Sequence, residues 1–241
     1  MLTLFTGIVA AIAHVLSGPD HLAAVTPLAI EARKRSWGIG LAWGIGHTVG
    51  ILLIGLLFLL FRDFIPVEKI SEHSEQLVGL MLILIGAWAI AKTGIKNISG
   101  RHAHPHTHKT DEGDIVHIHK HEHSTENYHS SPAAHSHSHP YKHRQNVRAS
   151  LGIGIFHGLA GVSHLFAILP TLALPSKHDA AMYLGGFGVG TIAAMISFSA
   201  LLGYIATRIS MAGRNKAFAA LRITGGLAAI IVGIWWLYQS F

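Results

Sequence analysis

The stretch A-H-V-L-S-G-P-D-H-L-A-A-V-T-P-L-A (Ala13–Ala29) sets two histidines and an aspartate inside an otherwise apolar run, across a Gly-Pro step. A second stretch, F-H-G-L-A-G-V-S-H-L-F-A-I-L-P-T-L (Phe156–Leu172), repeats it at an offset of 143 residues, matching His14/His157, Leu16/Leu159, Gly18/Gly161, His21/His164, Leu22/Leu165, Ala24/Ala167 and Pro27/Pro170. The likeness continues downstream. Trp43-Gly44-Ile45-Gly46 matches Phe187-Gly188-Val189-Gly190, and Gly79, Gly86 and Trp88 match Gly226, Gly233 and Trp235. Each copy is three apolar blocks long. An odd number of spans per copy makes the two halves cross a membrane in opposite senses, the inverted-repeat plan of many secondary transporters.

Composition supports a membrane reading. Of 241 residues, 50% are hydrophobic and only 12% charged, against about a quarter charged in ordinary soluble domains. Leu41–Phe61 and Leu77–Ala91 contain no Asp, Glu, Lys or Arg, and neither does Ile153–Leu174. Such runs are read as transmembrane helices. The expected fold is therefore all-α: a polytopic membrane protein with six spans near 2–30, 37–61, 76–96, 148–175, 180–206 and 217–239. It divides into a first three-helix repeat (1–97), a His-rich loop (98–147) and a second repeat (148–241). No Lys or Arg precedes the first apolar block, so that block is expected to be a span rather than a cleaved secretory signal.

Charge orients the chain. Fifteen of the 18 Lys and Arg residues fall on the side of the loops at 31–36, 98–147 and 207–216, and the positive-inside rule makes that side cytoplasmic. Both termini are then outside. The net charge of +6 is thus a matter of topology, and no basic face on a folded domain points to nucleic acid. Without cysteine, thiol redox chemistry and thiolate metal sites are excluded. There is no H-E-x-x-H motif, and no glycine run has the strand–loop–helix context of a nucleotide site. A non-enzyme is expected.

Gly18-Pro19, echoed at Gly161, is expected to break the helix, with Pro19 opening a second half-helix capped by Ser17 or Gly18. Asp20, the only carboxylate in any expected span, then lies where the positive end of the helix dipole favours its ionised form. A carboxylate in the membrane marks function by default. Imidazole and carboxylate without thiolate suit Ni²⁺, Co²⁺ or Zn²⁺, so His14, Asp20, His21, His157 and His164 form the candidate metal path. Interhelical hydrogen bonding is the plainer alternative for such groups. His47, among Gly40, Gly44, Gly46 and Gly50, lies on a small-xxx-small seam that fits close packing and ligation equally.

The loop holds 13 histidines and few apolar residues, so it is expected to be disordered without metal. His102, His104, His106, His108, His117, His119, His121, His123, His135, His137 and His139 alternate with other residues. In extended chain they share faces on which neighbouring imidazoles hold metal weakly. Such a loop suits a reservoir better than a preorganised transport site.

His14–Val25 resembles the signature of the nickel/cobalt transporter superfamily, most nearly its UreH-like urease-accessory branch with H-x-x-x-G-P-D-H in the first helix. Gly46–Thr48 is similar to the G-H-S motif of the NiCoT permeases, and residues 102–143 resemble the His-rich loop of RcnA-type exporters. The H-x5-D-H spacing is one residue longer than the NiCoT pattern, and Ser163 stands in the second copy where Asp20 stands in the first. The resemblance implies transport of Ni²⁺ or Co²⁺ as cargo, with no permanently bound cofactor, through His14, Asp20, His21 and His47. It also implies a bacterial cytoplasmic membrane and partners among metalloenzyme maturation proteins. Uptake is the leading expectation. Efflux fed by the loop is the alternative, and a non-transporting metal sensor or accessory protein represents a different class.

Overall fold

Alternating apolar blocks and short basic links resolve into helices. The computed structural model describes residues 1–61, 67–98, 102–110, 113–121, 141–160 and 169–239. The expected first span is divided at Gly18 into α1 (Leu2–Ser17) and α2 (Pro19–Ala32). Pro19 sits in the first turn, where its missing N–H leaves no bond unmade, and Gly18 is the cap, with extended backbone at φ −91° and ψ 96°. Ser17 is not the cap: its hydroxyl donates back to the His14 carbonyl at 3.2 Å.

A 3-10 turn, Arg33–Arg35, leads to α3 (Ser36–Phe61) and α4 (Val67–Ile98). Beyond the loop come α5 (Tyr141–Ala160), a 3-10 segment at Leu169–Ala173, α6 (Lys177–Met211) and α7 (Asn215–Gln239). The fourth expected span is thus helical to Ala160, and its described end is 3-10 rather than α. Gly161 and His164 lie outside the described residues. Ser176 caps α6 by accepting the Asp179 N–H at 3.1 Å, as serine does at this position.

Among the described residues, four segments are long and apolar enough to cross a membrane: Pro19–Leu56, Gln76–Thr93, Lys177–Met211 and Asn215–Gln239. Leu2–Ser17 is apolar but shorter. Its exposed Leu2, Phe5, Val9, Ile12 and Leu16 recur at helical spacing, opposite buried Gly7, Ala11 and Val15. Leu52, Leu53, Leu56, Leu80, Leu84, Val189, Ile231, Ile234 and Trp235 are exposed as well. Apolar surface so extensive is unfavourable in water and ordinary against lipid. The chain is an integral membrane protein.

Small residues set the packing. α3 runs parallel to α5: a Cβ on Gly46 would meet the Leu151 carbonyl, one on Gly50 the Ile155 carbonyl, one on Gly154 that of Trp43, and one on Gly158 that of His47. α1 runs parallel to α6 in the same manner, with Gly186 against the Leu4 carbonyl and Gly190 against that of Ile8. The α4–α7 pair is antiparallel and reciprocal. Gly79 abuts the Gly233 carbonyl and Gly233 that of Gly79, while Gly86 and Gly226 meet likewise. Between membrane helices, where no hydrophobic effect drives association, such backbone contact supplies the attraction.

One ion-pair network ties three helices. Glu31 at the end of α2 pairs with Lys92 of α4 at 2.6 Å and with Arg222 of α7, whose side chain is only 6% exposed. Removing one member leaves buried charge uncompensated. Glu31→Gln is therefore expected to destabilise the protein by about 3 kcal/mol, read as a lower thermal midpoint in detergent, whereas Lys92→Gln, which leaves Glu31 and Arg222 paired, should cost less.

The expected disorder of the loop is corrected over part of its length. His102–Thr110 (β1) and Gly113–His121 (β2) pair antiparallel, in a register that sets His102 opposite His121, His104 opposite His119 and His106 opposite His117. A low apolar content speaks against a buried core, but a two-stranded ladder needs none. Alternating sequence with β-branched Thr107, Ile115, Val116 and Ile118 favours extended pairing. His108 lies on β1 opposite Ile115, whereas His123, His135, His137 and His139 fall outside the described residues. The fold is helical apart from this hairpin among the described residues.

Candidate metal centre

The break at Gly18 turns α2 so that its first residues face the end of α1. His14 and His21, seven residues apart, meet with their Nε2 atoms 3.1 Å apart. A Cβ on Gly18 would collide with His21 Nδ1 and lie 2.9 Å from Asp20 Oδ1, so only glycine leaves room for this turn. Asp20 sits between two imidazoles. Its Oδ1 is 2.9 Å from His21 Nδ1 and its Oδ2 is 3.0 Å from His157 Nε2.

The α3–α5 glycine seam supplies the rest. It brings His47 of α3 beside His157 of α5, ring centroids 5.4 Å apart, and beside His21 at 4.9 Å. His47 and His157 are fully buried, His21 is 2% exposed and Asp20 4%, while His14 is half-buried. Trp43, also fully buried, stacks on His47 at 4.5 Å and 19°. Phe187 of α6 closes against His14 at 5.6 Å.

Two overlapping sets of donor atoms result, each with its members within 4.8 Å of one another: His14, His21 and His47, and Asp20, His21 and His157. His21 belongs to both. The geometry assigns its tautomer. A carboxylate only accepts, so neutral His21 donates Nδ1–H to Asp20 and turns the Nε2 lone pair toward His14. That is the carboxylate–histidine arrangement that orients imidazole ligands for a metal. Two nitrogens bound at about 2.1 Å to one ion lie roughly 3–3.5 Å apart, and the His14–His21 separation of 3.1 Å is in that range.

Of the sequence-stretch candidates, His14, Asp20, His21, His47 and His157 are thus brought together, and His164 lies outside the described residues. The hairpin histidines belong to a separate element. Trp43 was not anticipated, although its place four residues before His47 put it on the same helix face. Thr191, the repeat counterpart of His47, is buried, and its hydroxyl has no hydrogen-bond partner among the described residues.

Fold and site together define a class: a polytopic helical membrane protein with a His/Asp cluster buried among its spans. Comparison with known proteins narrows it. The urease accessory protein UreH of Bacillus sp. (strain TB-90) is 31% identical over 236 residues, covering 97% of this chain and 89% of UreH. The chain belongs to the UreH family. The chloroplast protein FOR GROWTH AND FERTILITY 1 of Arabidopsis thaliana is 36% identical over 200 residues, 83% of this chain and 49% of that protein. The chain spans about half the length of that relative and of its homologue FOR GROWTH AND FERTILITY 2. A Methanocaldococcus jannaschii protein named for nickel/cobalt efflux is 27% identical over 115 residues, 46% of this chain and 49% of that protein. No family profile and no solved structure matches. UreH and the archaeal protein are named for accessory and efflux roles rather than for catalysis.

Proposed function

We propose that this chain carries Ni²⁺ or Co²⁺ into the cell across a bacterial cytoplasmic membrane, by alternating access between two inverted three-helix repeats. The observation that carries the reading is the buried cluster at the helix break, with four imidazoles and one carboxylate, where isolated hydrogen bonding needs far fewer groups. The ion is held first by His14, His21 and His47, then by Asp20, His21 and His157, so the shared His21 makes the two sets consecutive stations. His164, the repeat counterpart of His21, is a further candidate ligand. Imidazole ligands replace part of the ion's water shell, and Asp20 keeps His21 and His157 oriented and offsets the ion's charge.

The inverted repeat is supported by corresponding contacts. Gly46 against the Leu151 carbonyl and Gly190 against the Ile8 carbonyl are the same contact under the sequence offsets of 144 and 143. The reciprocal Gly79–Gly233 and Gly86–Gly226 pairs are what a two-fold axis between α4 and α7 requires. Ser163 and Thr191 replace Asp20 and His47 in the second half, so the first half supplies most of the ligands. Both termini lie outside and the His-rich loop is cytoplasmic, where it holds arriving metal for maturation of an enzyme such as urease.

Efflux is the second reading, favoured by the archaeal relative's name and by a loop able to collect metal for export. Radioactive nickel accumulation in cells expressing the chain separates the two. Uptake predicts accumulation above that of empty cells, abolished by His14→Ala/His21→Ala; accumulation below empty cells, reversed by the same variant, makes the chain an exporter. Equality of all three removes nickel transport. Deleting 102–143 should leave measurable flux, whereas a sensor working through the loop alone would lose its whole response.

A further inference from the structure

The metal path leaves unexplained a surface cavity of about 390 Å³ at the basic end of the bundle. The Arg33–Arg35 turn and the start of α3 form one wall, and the last turns of α6 form the other. We infer that this cavity binds the phosphate headgroup of an anionic phospholipid, held by Lys34 and Arg208 beside Arg33, with one acyl chain running along Trp37 and Met211. The inference rests on the chain's being embedded in a bilayer and is independent of what it transports.

Charge complementarity selects the occupant. Arg33, Lys34 and Arg208 line the cavity, and no Asp or Glu is among its lining residues. Basic pockets between membrane helices take anionic headgroups in this way. The apolar part suits the rest of a lipid rather than a soluble anion: Trp37, Tyr204 and Met211 are more than half exposed, and Trp and Tyr gather at the headgroup level. The walls are also built in place. A Cβ on Gly203 would strike Ser36 Oγ and the Arg33 carbonyl, so the turn rests directly on α6. Arg33 holds its backbone at φ 52°, in the left-handed region, alone among described non-glycine residues. Arg208 is steadied by its Nε–H donating to the Tyr204 hydroxyl at 3.0 Å, with the guanidinium 5.1 Å from that ring.

The test is native mass spectrometry of the full chain in detergent, with phosphatidylglycerol and phosphatidylcholine added in equal amounts. The wild-type chain should retain phosphatidylglycerol at least about fivefold over phosphatidylcholine, the scale of one cation at an anionic headgroup. Lys34→Gln/Arg208→Gln should bring the ratio near one, whereas Arg214→Gln/Lys216→Gln, which removes the same charge outside the cavity, should leave it unchanged. If the double variant loses its wild-type elution profile, Lys34→Gln alone, at an exposed turn position, must lower the ratio. A wild-type ratio near one overturns the proposal, as does an equal loss in the control pair. Glycerol 3-phosphate at millimolar concentration should not displace the lipid; displacement would make this a site for soluble phosphate esters and overturn the lipid assignment.

Discussion

Asp20→Asn is expected to leave the protein folded in the membrane and to reduce nickel flux on the order of 100-fold. Both carboxylate oxygens face ring nitrogens, His21 Nδ1 at 2.9 Å and His157 Nε2 at 3.0 Å. Asparagine keeps one acceptor and substitutes a donor for the other. If the amide N–H₂ faces His21, the ring must accept at Nδ1 and carry its proton on Nε2, the atom 3.1 Å from His14 Nε2 that would bind metal. If it faces His157 instead, that ring turns over in the same way. Either outcome removes a ligand lone pair and the negative charge that offsets the ion. Loss of an orienting partner alone costs about 10–100-fold in metal affinity or activity, and loss of the charge as well places the expectation at the upper end. The measurement is initial nickel flux at matched protein level; flux within twofold of wild type would contradict the role given to Asp20.

Gly46→Leu is expected to damage the fold severely. A Cβ on Gly46 would meet the Leu151 carbonyl and lie close to the Ile155 nitrogen, so a leucine side chain has only backbone to displace. α3 must then move away from α5, which also separates His47 from His157, now 5.4 Å apart. Overpacking costs about 1–3 kcal/mol where side chains can yield, and here none intervenes, so at least about 3 kcal/mol is expected. The matched control is Gly152→Ala on the same helix pair. Nothing lies within 4 Å of a Cβ built there, and replacing an exposed helical glycine gains about 0.5–1 kcal/mol. Thermal unfolding in detergent distinguishes them: a large fall in midpoint, or no folded protein, for Gly46→Leu, and an unchanged or higher midpoint for Gly152→Ala.

The site was legible in sequence to the extent that local chemistry fixes it. Gly-Pro in an apolar run weakens or interrupts the helical ladder, so a step at Gly18 was expected from covalent geometry. The spacing of His14 and His21 placed them two turns apart on an unbroken helix, yet they meet across the break itself, which spacing on a continuous helix could not give. The glycine seam around His47 was visible, but its partner was not, because small-xxx-small spacing names a close neighbour without saying which helix. Gly46 and Gly50 face α5, and with it came His157, whereas Gly40 and Gly44 pack on α6. Glu31 escaped notice because it falls one residue past the expected end of the first span; its importance lies in Lys92 and Arg222, 61 and 191 positions away. The loop misled in a different way. Low hydrophobicity spoke against a core, but period-two alternation also favours extended pairing, while the register that pairs His102 with His121 is not set by alternation alone.

The cluster at the break is expected to bind one divalent ion at a time, through two donor sets that share His21. The most direct test is nickel binding to purified protein in which residues 102–143 are replaced by a short Gly-Ser linker, so that the loop histidines contribute nothing. One Ni²⁺ per chain is expected, with X-ray absorption showing at least two imidazole ligands, and loss of that ion in the His14→Ala/His21→Ala variant. Folded, loop-free protein that binds no nickel, or that binds it equally well without His14 and His21, would contradict that expectation.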